Sequence, residues 1–205
     1  MEIKPTQYSL DLVREITNQV QSMHHHYHIL YDIANTYPDN YTLNYLEIGC
    51  YAGGSSCLLL QRPNTNVITI DLGTPIHPTI AKHNVQKLNR HNNQFKYIQG
   101  NSADPAIINQ ITEDIDILFI DGDHSYNGSL NDFNNYSKLV KNNGYIIFDD
   151  YNDLGGGCKV HEMVDELVIT LDRYEIIGTI KNDLGANGFE DNFKDGNCFI
   201  IRKKI

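Results

Sequence analysis

Apolar residues fall along this chain in short continuous blocks, separated by longer stretches in which they recur every three or four positions. The blocks predict strands at 43–48, 66–70, 95–99, 115–120, 145–148, 174–179 and 198–201. Several are apolar throughout rather than alternating, Ile117-Leu118-Phe119-Ile120 being the clearest. A strand covered on both faces needs apolar side chains on both sides of its pleat, so continuous blocks point to a sheet buried between two layers. Between the blocks, Ile80, Ala81, Asn84, Val85 and Leu88 follow helical spacing, as do Val160, Met163, Val164, Leu167 and Val168. Residues 8–36 predict one or two helices ahead of the first strand, broken at His24-His25-His26-Tyr27-His28. Alternation of this kind predicts an α/β fold: a doubly wound, Rossmann-like, mostly parallel seven-stranded sheet with helices on both faces.

In such sheets ligands sit beyond the carboxyl ends of the strands, where the strand order reverses. The loops after Ile48, Ile70, Gln99, Ile120 and Phe148 are therefore the places to look for chemistry. The first carries Glu47, Gly49, Tyr51, Gly53 and Ser55 within the run Leu46-Glu47-Ile48-Gly49-Cys50-Tyr51-Ala52-Gly53-Gly54-Ser55-Ser56. Glycines there let backbone N–H groups approach a ligand that a side chain would block. A dinucleotide fingerprint would need a third-position glycine where Tyr51 stands, so close approach of a pyrophosphate is disfavoured. Ser55 or Ser56 is placed to cap the following helix or to bond a carboxylate. Asp71 lies 22 residues beyond Gly49, the spacing at which an acidic residue accepts ribose hydroxyls. After the third strand, Ser102 or Asn101 is expected to start a helix with Asp104 and Pro105 in its first turn.

The fourth and fifth strands end in Asp121-Gly122-Asp123-His124 and Asp149-Asp150-Tyr151. If these strands are neighbours, Asp121, Asp149 and Asp150 meet at one rim. Clustered carboxylates repel and raise one another's pKa unless something positive lies among them. A divalent cation such as magnesium, ligated by Asp121, Asp149 and Asp150, is the simple solution, and a substrate hydroxyl could replace one of its waters. His124 is the candidate proton acceptor, because its ordinary pKa suits that work near neutrality. Asp123 has an alternative role as a simple cap for the next helix.

These motifs, in this order over about residues 43–170, resemble the class I S-adenosylmethionine (SAM)-dependent methyltransferases of the methyltransferase domain 24 type, with catechol-type, caffeoyl-CoA-type and macrolide-sugar O-methyltransferases as the nearest analogies. The resemblance implies SAM as methyl donor, held by Glu47, Gly49, Tyr51, Gly53, Ser55, Asp71, Ser102 and Asp121. It also implies catalysis by Asp121 and His124, and Ser102 beside the adenine. Catechol-type enzymes carry a lysine where this chain has His124, and an asparagine where it has Asp150; the chain also has no tryptophan. These departures tilt the expected acceptor toward a sugar or another non-catechol hydroxyl.

Composition narrows the reading further. Sixteen basic against 26 acidic residues give a net charge of −10, which argues against nucleic acid as a partner. No apolar window of membrane-spanning length and no signal-peptide pattern occur, and Cys50, Cys57, Cys158 and Cys198 lack zinc spacing, so a cytoplasmic setting with reduced thiols is expected. The chain is read as one domain, with 1–40 a helical cap and 41–205 the catalytic core. The tyrosine-rich N-terminal helices are a candidate face for a homodimer, and the glycine-rich loop 153–157 a candidate lid. Segment 181–197 is expected to help shape the acceptor pocket. The rival readings are a metal-independent methyltransferase, an NAD-dependent oxidoreductase and a non-catalytic nucleoside-binding module.

Overall fold

The computed structural model describes residues 6–21, 24–153, 156–179 and 198–205. One sheet holds seven strands: β1 (Leu43–Ile48), β2 (Thr65–Asp71), β3 (Gln94–Gln99), β4 (Ile115–Ile120), β5 (Val140–Phe148), β6 (Tyr174–Thr179) and β7 (Phe199–Lys203). Their order is β3-β2-β1-β4-β5-β7-β6. The first five run parallel to one another, and β7 is antiparallel to both β5 and β6. The order reverses between β1 and β4, which defines the switch point. The expected strands reappear within two residues at each end, except that β5 begins at Val140 rather than at 145. Its early residues include Asn142, Asn143 and Gly144, and the pairing with β4 slips between Ile115 and Ile117, so the apolar pattern is interrupted there.

The helices are α1 (Gln7–Thr17), α2 (His28–Ala34), α3 (Gly54–Leu59), α4 (His77–Leu88), α5 (Pro105–Ile108), α6 (Tyr126–Tyr136) and α7 (Val160–Glu166), with a 3₁₀ turn at His25–Tyr27. Helices α1 to α4 cover one face and α5 to α7 the other, as the two apolar clusters show. Tyr45, Ile117, Phe119 and Ile147 pack with the first group, and Leu46, Leu118, Ile120 and Phe148 with the second. Successive strand residues thus alternate between two buried faces, which is why the strand blocks read as uninterrupted apolar runs. Each fully buried side chain of this size contributes about 1.5–3 kcal/mol.

Helices α1 and α2 belong to the same cluster as the strands, so the N-terminal segment is one layer of the core rather than a lid laid over it. A buried knot joins the two. Thr6 caps α1, and Thr6 and Ser9 donate to Asp32 of α2, which also faces His28 Nδ1 at 3.1 Å. Of the tyrosines considered for a dimer face, Tyr27 and Tyr31 are buried and Tyr8 is exposed. No helix among the described residues is long and apolar enough to cross a membrane, and all four cysteines are free and buried.

Candidate functional site

Strand register sets the site. Ile48 lies level with Ile70 on one side and with Ile120 on the other, and Ile120 is level with Phe148. The ladder continues one step past each strand: Gly49 N–H donates to Ile70, Asp121 N–H to Ile48 and Asp149 N–H to Ile120. Gly49, Asp71, Asp121 and Asp149 therefore emerge at the same edge of the sheet. A cleft of about 570 Å³ opens there, between the loops after β1, β2, β3 and β4.

Gly49 is irreplaceable on geometric grounds. Its φ is +90°, and a Cβ at this position would lie 1.9 Å from the carbonyl oxygen of Asp121. The turn after β1 thus presses directly on the turn after β4. Gly53, also left-handed, precedes α3 and offers it no side-chain cap. The serines that follow serve a different end from capping. Ser55 and Ser56 both donate to the buried carboxylate of Glu47, Ser56 at 2.6 Å. Burial pushes Glu47 up to about 7 against the lowering effect of those two hydroxyls.

Asp71 has its carboxylate turned into the glycine loop. Oδ2 accepts from Cys50 N–H (2.7 Å) and Tyr51 N–H (2.8 Å), and Oδ1 accepts from Gly73 N–H (2.6 Å). It therefore shapes the backbone around Tyr51, which takes a left-handed φ of 46°. Tyr51, Ser55, Asp71 and Ser102 all line the cleft, whereas Glu47 lies fully buried behind Ser55. Ser102 is held by Tyr136, whose hydroxyl donates to its carbonyl at 2.8 Å. The α5 helix starts later than its sequence suggests: Asp104 is the N-cap, accepting from Ala106 N–H, and Pro105 is the first helical residue. Proline with its fixed φ suits that position and needs a capping residue just before it, which displaces Ser102 and Asn101 from the role. Likewise Ser125, not Asp123, caps α6; Asp123 accepts from Ser125 N–H instead.

On the far side of the switch point, β4 and β5 are adjacent, and their acidic residues gather. Asp121 and His124 line the cleft. His124 lies between two carboxylates, with Nδ1 2.8 Å from Asp150 and Nε2 3.4 Å from Asp121. These two contacts outweigh burial and push its pKa up to about 11, so as it stands the ring holds its proton rather than accepting one. Burial and the neighbouring Asp149 push Asp121 well above the usual carboxylate range. Asp150 adopts a left-handed φ of 54°, unusual for a residue with a side chain. Asp121, His124 and Asp150 each offer a donor atom within 4.8 Å of the others.

Asp149 is one layer deeper, 2% exposed. His26 Nε2 lies 2.8 Å from its Oδ1, Cys198 Sγ donates to the same oxygen at 3.3 Å, and Tyr27 donates to Oδ2 at 3.1 Å. The Tyr27 hydroxyl is also 2.9 Å from Asp121. Burial pushes Asp149 up, but His26 outweighs it and holds the carboxyl low. His26, Tyr27 and Cys198 are the residues that sequence reasoning missed here. The histidine run signalled something unusual, but its partners are remote in sequence. The run does not form one helix: His24 lines the cleft, His26 and Tyr27 belong to the 3₁₀ turn, and His28 opens α2. Of the glycine-rich loop at 153–157, residues 154 and 155 lie outside the described residues, as does all of 181–197.

A sheet reversed between β1 and β4, with an antiparallel β7 inserted beside β5 and a glycine turn opening on a cleft, has the architecture of a class I methyltransferase. The chain belongs to the methyltransferase domain 24 family, whose model, described as a methyltransferase domain, matches residues 46–151. It is 38% identical to the uncharacterized protein R132 of Acanthamoeba polyphaga mimivirus over 177 residues, 80% of each chain. Among solved structures, it resembles an O-methyltransferase from Bacillus cereus in complex with S-adenosylhomocysteine (TM-score 0.60, 20% identity, 97% of this chain and 92% of that one). It also resembles an S-adenosylhomocysteine-bound methyltransferase of Podospora anserina (TM-score 0.62, 15% identity, 98% and 89% covered).

Proposed function

We propose that this protein is a SAM-dependent O-methyltransferase acting on a hydroxyl of a small molecule or sugar, assisted by a divalent cation at the acidic rim. The observation that carries the reading is the contact of the Gly49 turn with the Asp121 turn, which sets a donor loop and an acidic rim against each other across one cleft. The cleft is of ligand size. Asp71, Leu72 and Ser102 line the part of it reached from β2 and β3, and we assign the nucleoside to them. Gly49, Tyr51 and Ser55 fall to the amino-acid portion, with Glu47 behind them fixing Ser55, while Gly53 lies outside the lining and packs toward Ala81 of α4. The Bacillus and Podospora structures, each with S-adenosylhomocysteine bound, support the choice of donor.

Asp121 and Asp150 offer oxygen donors of the kind a hard cation prefers, whereas the Asp149 oxygens are taken by His26, Cys198 and Tyr27 and Asp149 would act from behind them. When bound, SAM supplies an electrophilic methyl group and a cation supplies positive charge beside the acceptor oxygen. Asp121 and His124 are the side chains we place at that oxygen, since both reach the cleft from the β4 turn. The protein contributes chiefly by aligning acceptor and donor and by stabilising the oxygen's developing charge. In the transfer the methyl–sulfur bond breaks, the methyl–oxygen bond forms, the hydroxyl proton passes to the Asp121–His124 pair beside that oxygen, and S-adenosylhomocysteine leaves.

Calorimetric titration with SAM, S-adenosylhomocysteine and NAD tests the donor. Binding of the first two and not the third is expected. Binding of NAD alone would replace the reading with the oxidoreductase one. Methyl transfer from labelled SAM to a panel of hydroxylated acceptors then tests the activity, and SAM binding without transfer to any of them would favour a binding module.

A further inference from the structure

Asp132 stands where the helix pattern calls for an apolar side chain. It shares the buried face of α6 with Ser129, Phe133 and Tyr136 and is 2% exposed. A carboxylate in such a place costs free energy unless donors meet it. Its Oδ2 finds no hydrogen-bond partner among the described residues. That oxygen lies directly behind Gly122 in the wall of the cleft, where a Cβ would stand 3.2 Å from it. Burial pushes the Asp132 carboxyl up to about 6, against the lowering effect of the Ser102 hydroxyl as a hydrogen-bond donor and with a further push from Asp123. Ser102 lines the cleft after β3, and Tyr136, one turn along α6 from Asp132, donates to its carbonyl at 2.8 Å. One helix thus meets both the main chain and the side chain of Ser102.

A hydroxyl has one proton to give and two lone pairs to offer. With the Ser102 proton turned to Asp132, the oxygen presents lone pairs to the cleft. The Asp132 charge behind Gly122 adds negative potential to the same wall. Both effects favour a ligand edge that carries N–H and oppose one that carries a carbonyl oxygen, since two facing acceptors leave each other unpaired. The exocyclic amino group of adenine is an edge of the first kind, and the oxygen of a 6-oxopurine is one of the second. We infer that Asp132, acting through Ser102, is a positioning residue that makes the donor site select a 6-aminopurine over its 6-oxo counterpart. This rests on the reading that the nucleoside of SAM lies against Leu72 and Ser102. Asp132 itself stays behind the lining of the cleft and touches no ligand.

Calorimetric titration of the full chain at about pH 8, above the range in which Asp132 takes up its proton, compares S-adenosylhomocysteine with S-inosylhomocysteine, its 6-oxo analogue. Wild type is expected to bind the amino form about tenfold tighter or more. Asp132→Asn, which keeps the shape and removes the charge, is expected to bring the two affinities within about threefold of each other, and so is Ser102→Ala. Combining the two substitutions should narrow the ratio no further, the mark of one residue acting through the other. A ratio near one in wild type, or a reversed one, overturns the inference. So does an Asp132→Asn protein that loses affinity for both ligands alike, which is what a purely structural carboxylate would give. Should Asp132→Asn fail to fold, Ser102→Ala decides: a narrowed ratio supports the inference and an unchanged one overturns it. Wild type that binds neither ligand overturns the donor reading itself, and the inference with it, an outcome distinct from binding both without preference.

Discussion

The two halves of the cleft are built on different principles. On the donor side, between β1 and β3, polar side chains are used up in shaping backbone: Asp71 accepts three main-chain N–H groups, and Glu47 accepts two serine hydroxyls. On the acceptor side, between β4 and β5, acidic and imidazole groups face one another around shared protons. On the proposed assignment, the first half would select by shape and the second by charge. Substitutions should therefore act on donor binding through geometry in one half, and on cation and acceptor chemistry through electrostatics in the other.

The largest expected effect is at the seam between them. Gly49→Ala would force a methyl against the Asp121 carbonyl and strain a left-handed backbone, costing about 3 kcal/mol or more in chemical denaturation. A loss under about 1 kcal/mol would show that the two turns are not locked together. Next comes a pH effect. Glu47 is raised to about 7 in the fold from 4.5, so its contribution to stability is fully present below pH 4.5 and lost as pH rises through 7. Glu47→Gln should abolish that decline, worth about 3 kcal/mol across the window. Parallel stability–pH curves for the two proteins would mean that Glu47 is not held in this way. Asp71→Ala should weaken S-adenosylhomocysteine binding by about tenfold, the equivalent of about 1.4 kcal/mol, because the Cys50–Tyr51 backbone loses its anchor. An unchanged dissociation constant by calorimetry would remove Asp71 from the donor half. On the side proposed for the acceptor the expected effect is on stability alone. Tyr27→Phe should cost about 1–2 kcal/mol of stability and leave S-adenosylhomocysteine affinity unchanged. A matching loss of donor affinity would blur the division drawn here.

The layered fold was legible because both faces of the strands are buried, so each strand announces itself as an apolar run; β5 was shortened only where Asn142 and Asn143 interrupt its pattern. The loops that line the cleft followed from the alternation of elements. What sequence could not supply was direction. Asp71 appears at the right spacing for a ribose, but its three main-chain partners are a property of the folded loop. Asp149 and Asp150 look like one pair until a left-handed φ separates them. His124 reads as a base by its type alone, and only the two carboxylates flanking it fix its proton.

Asp149 is clasped from both directions along the chain, by His26 123 positions earlier and by Cys198 49 positions later. Contacts so distant in sequence form late in folding, after large loops have closed. The turn carrying His26 should consequently depend on the seating of Asp149 that Cys198 helps to hold. Amide hydrogens at 26–27 would then exchange faster once Cys198 is replaced, while those at 199–201, paired on both sides within the sheet, stay protected.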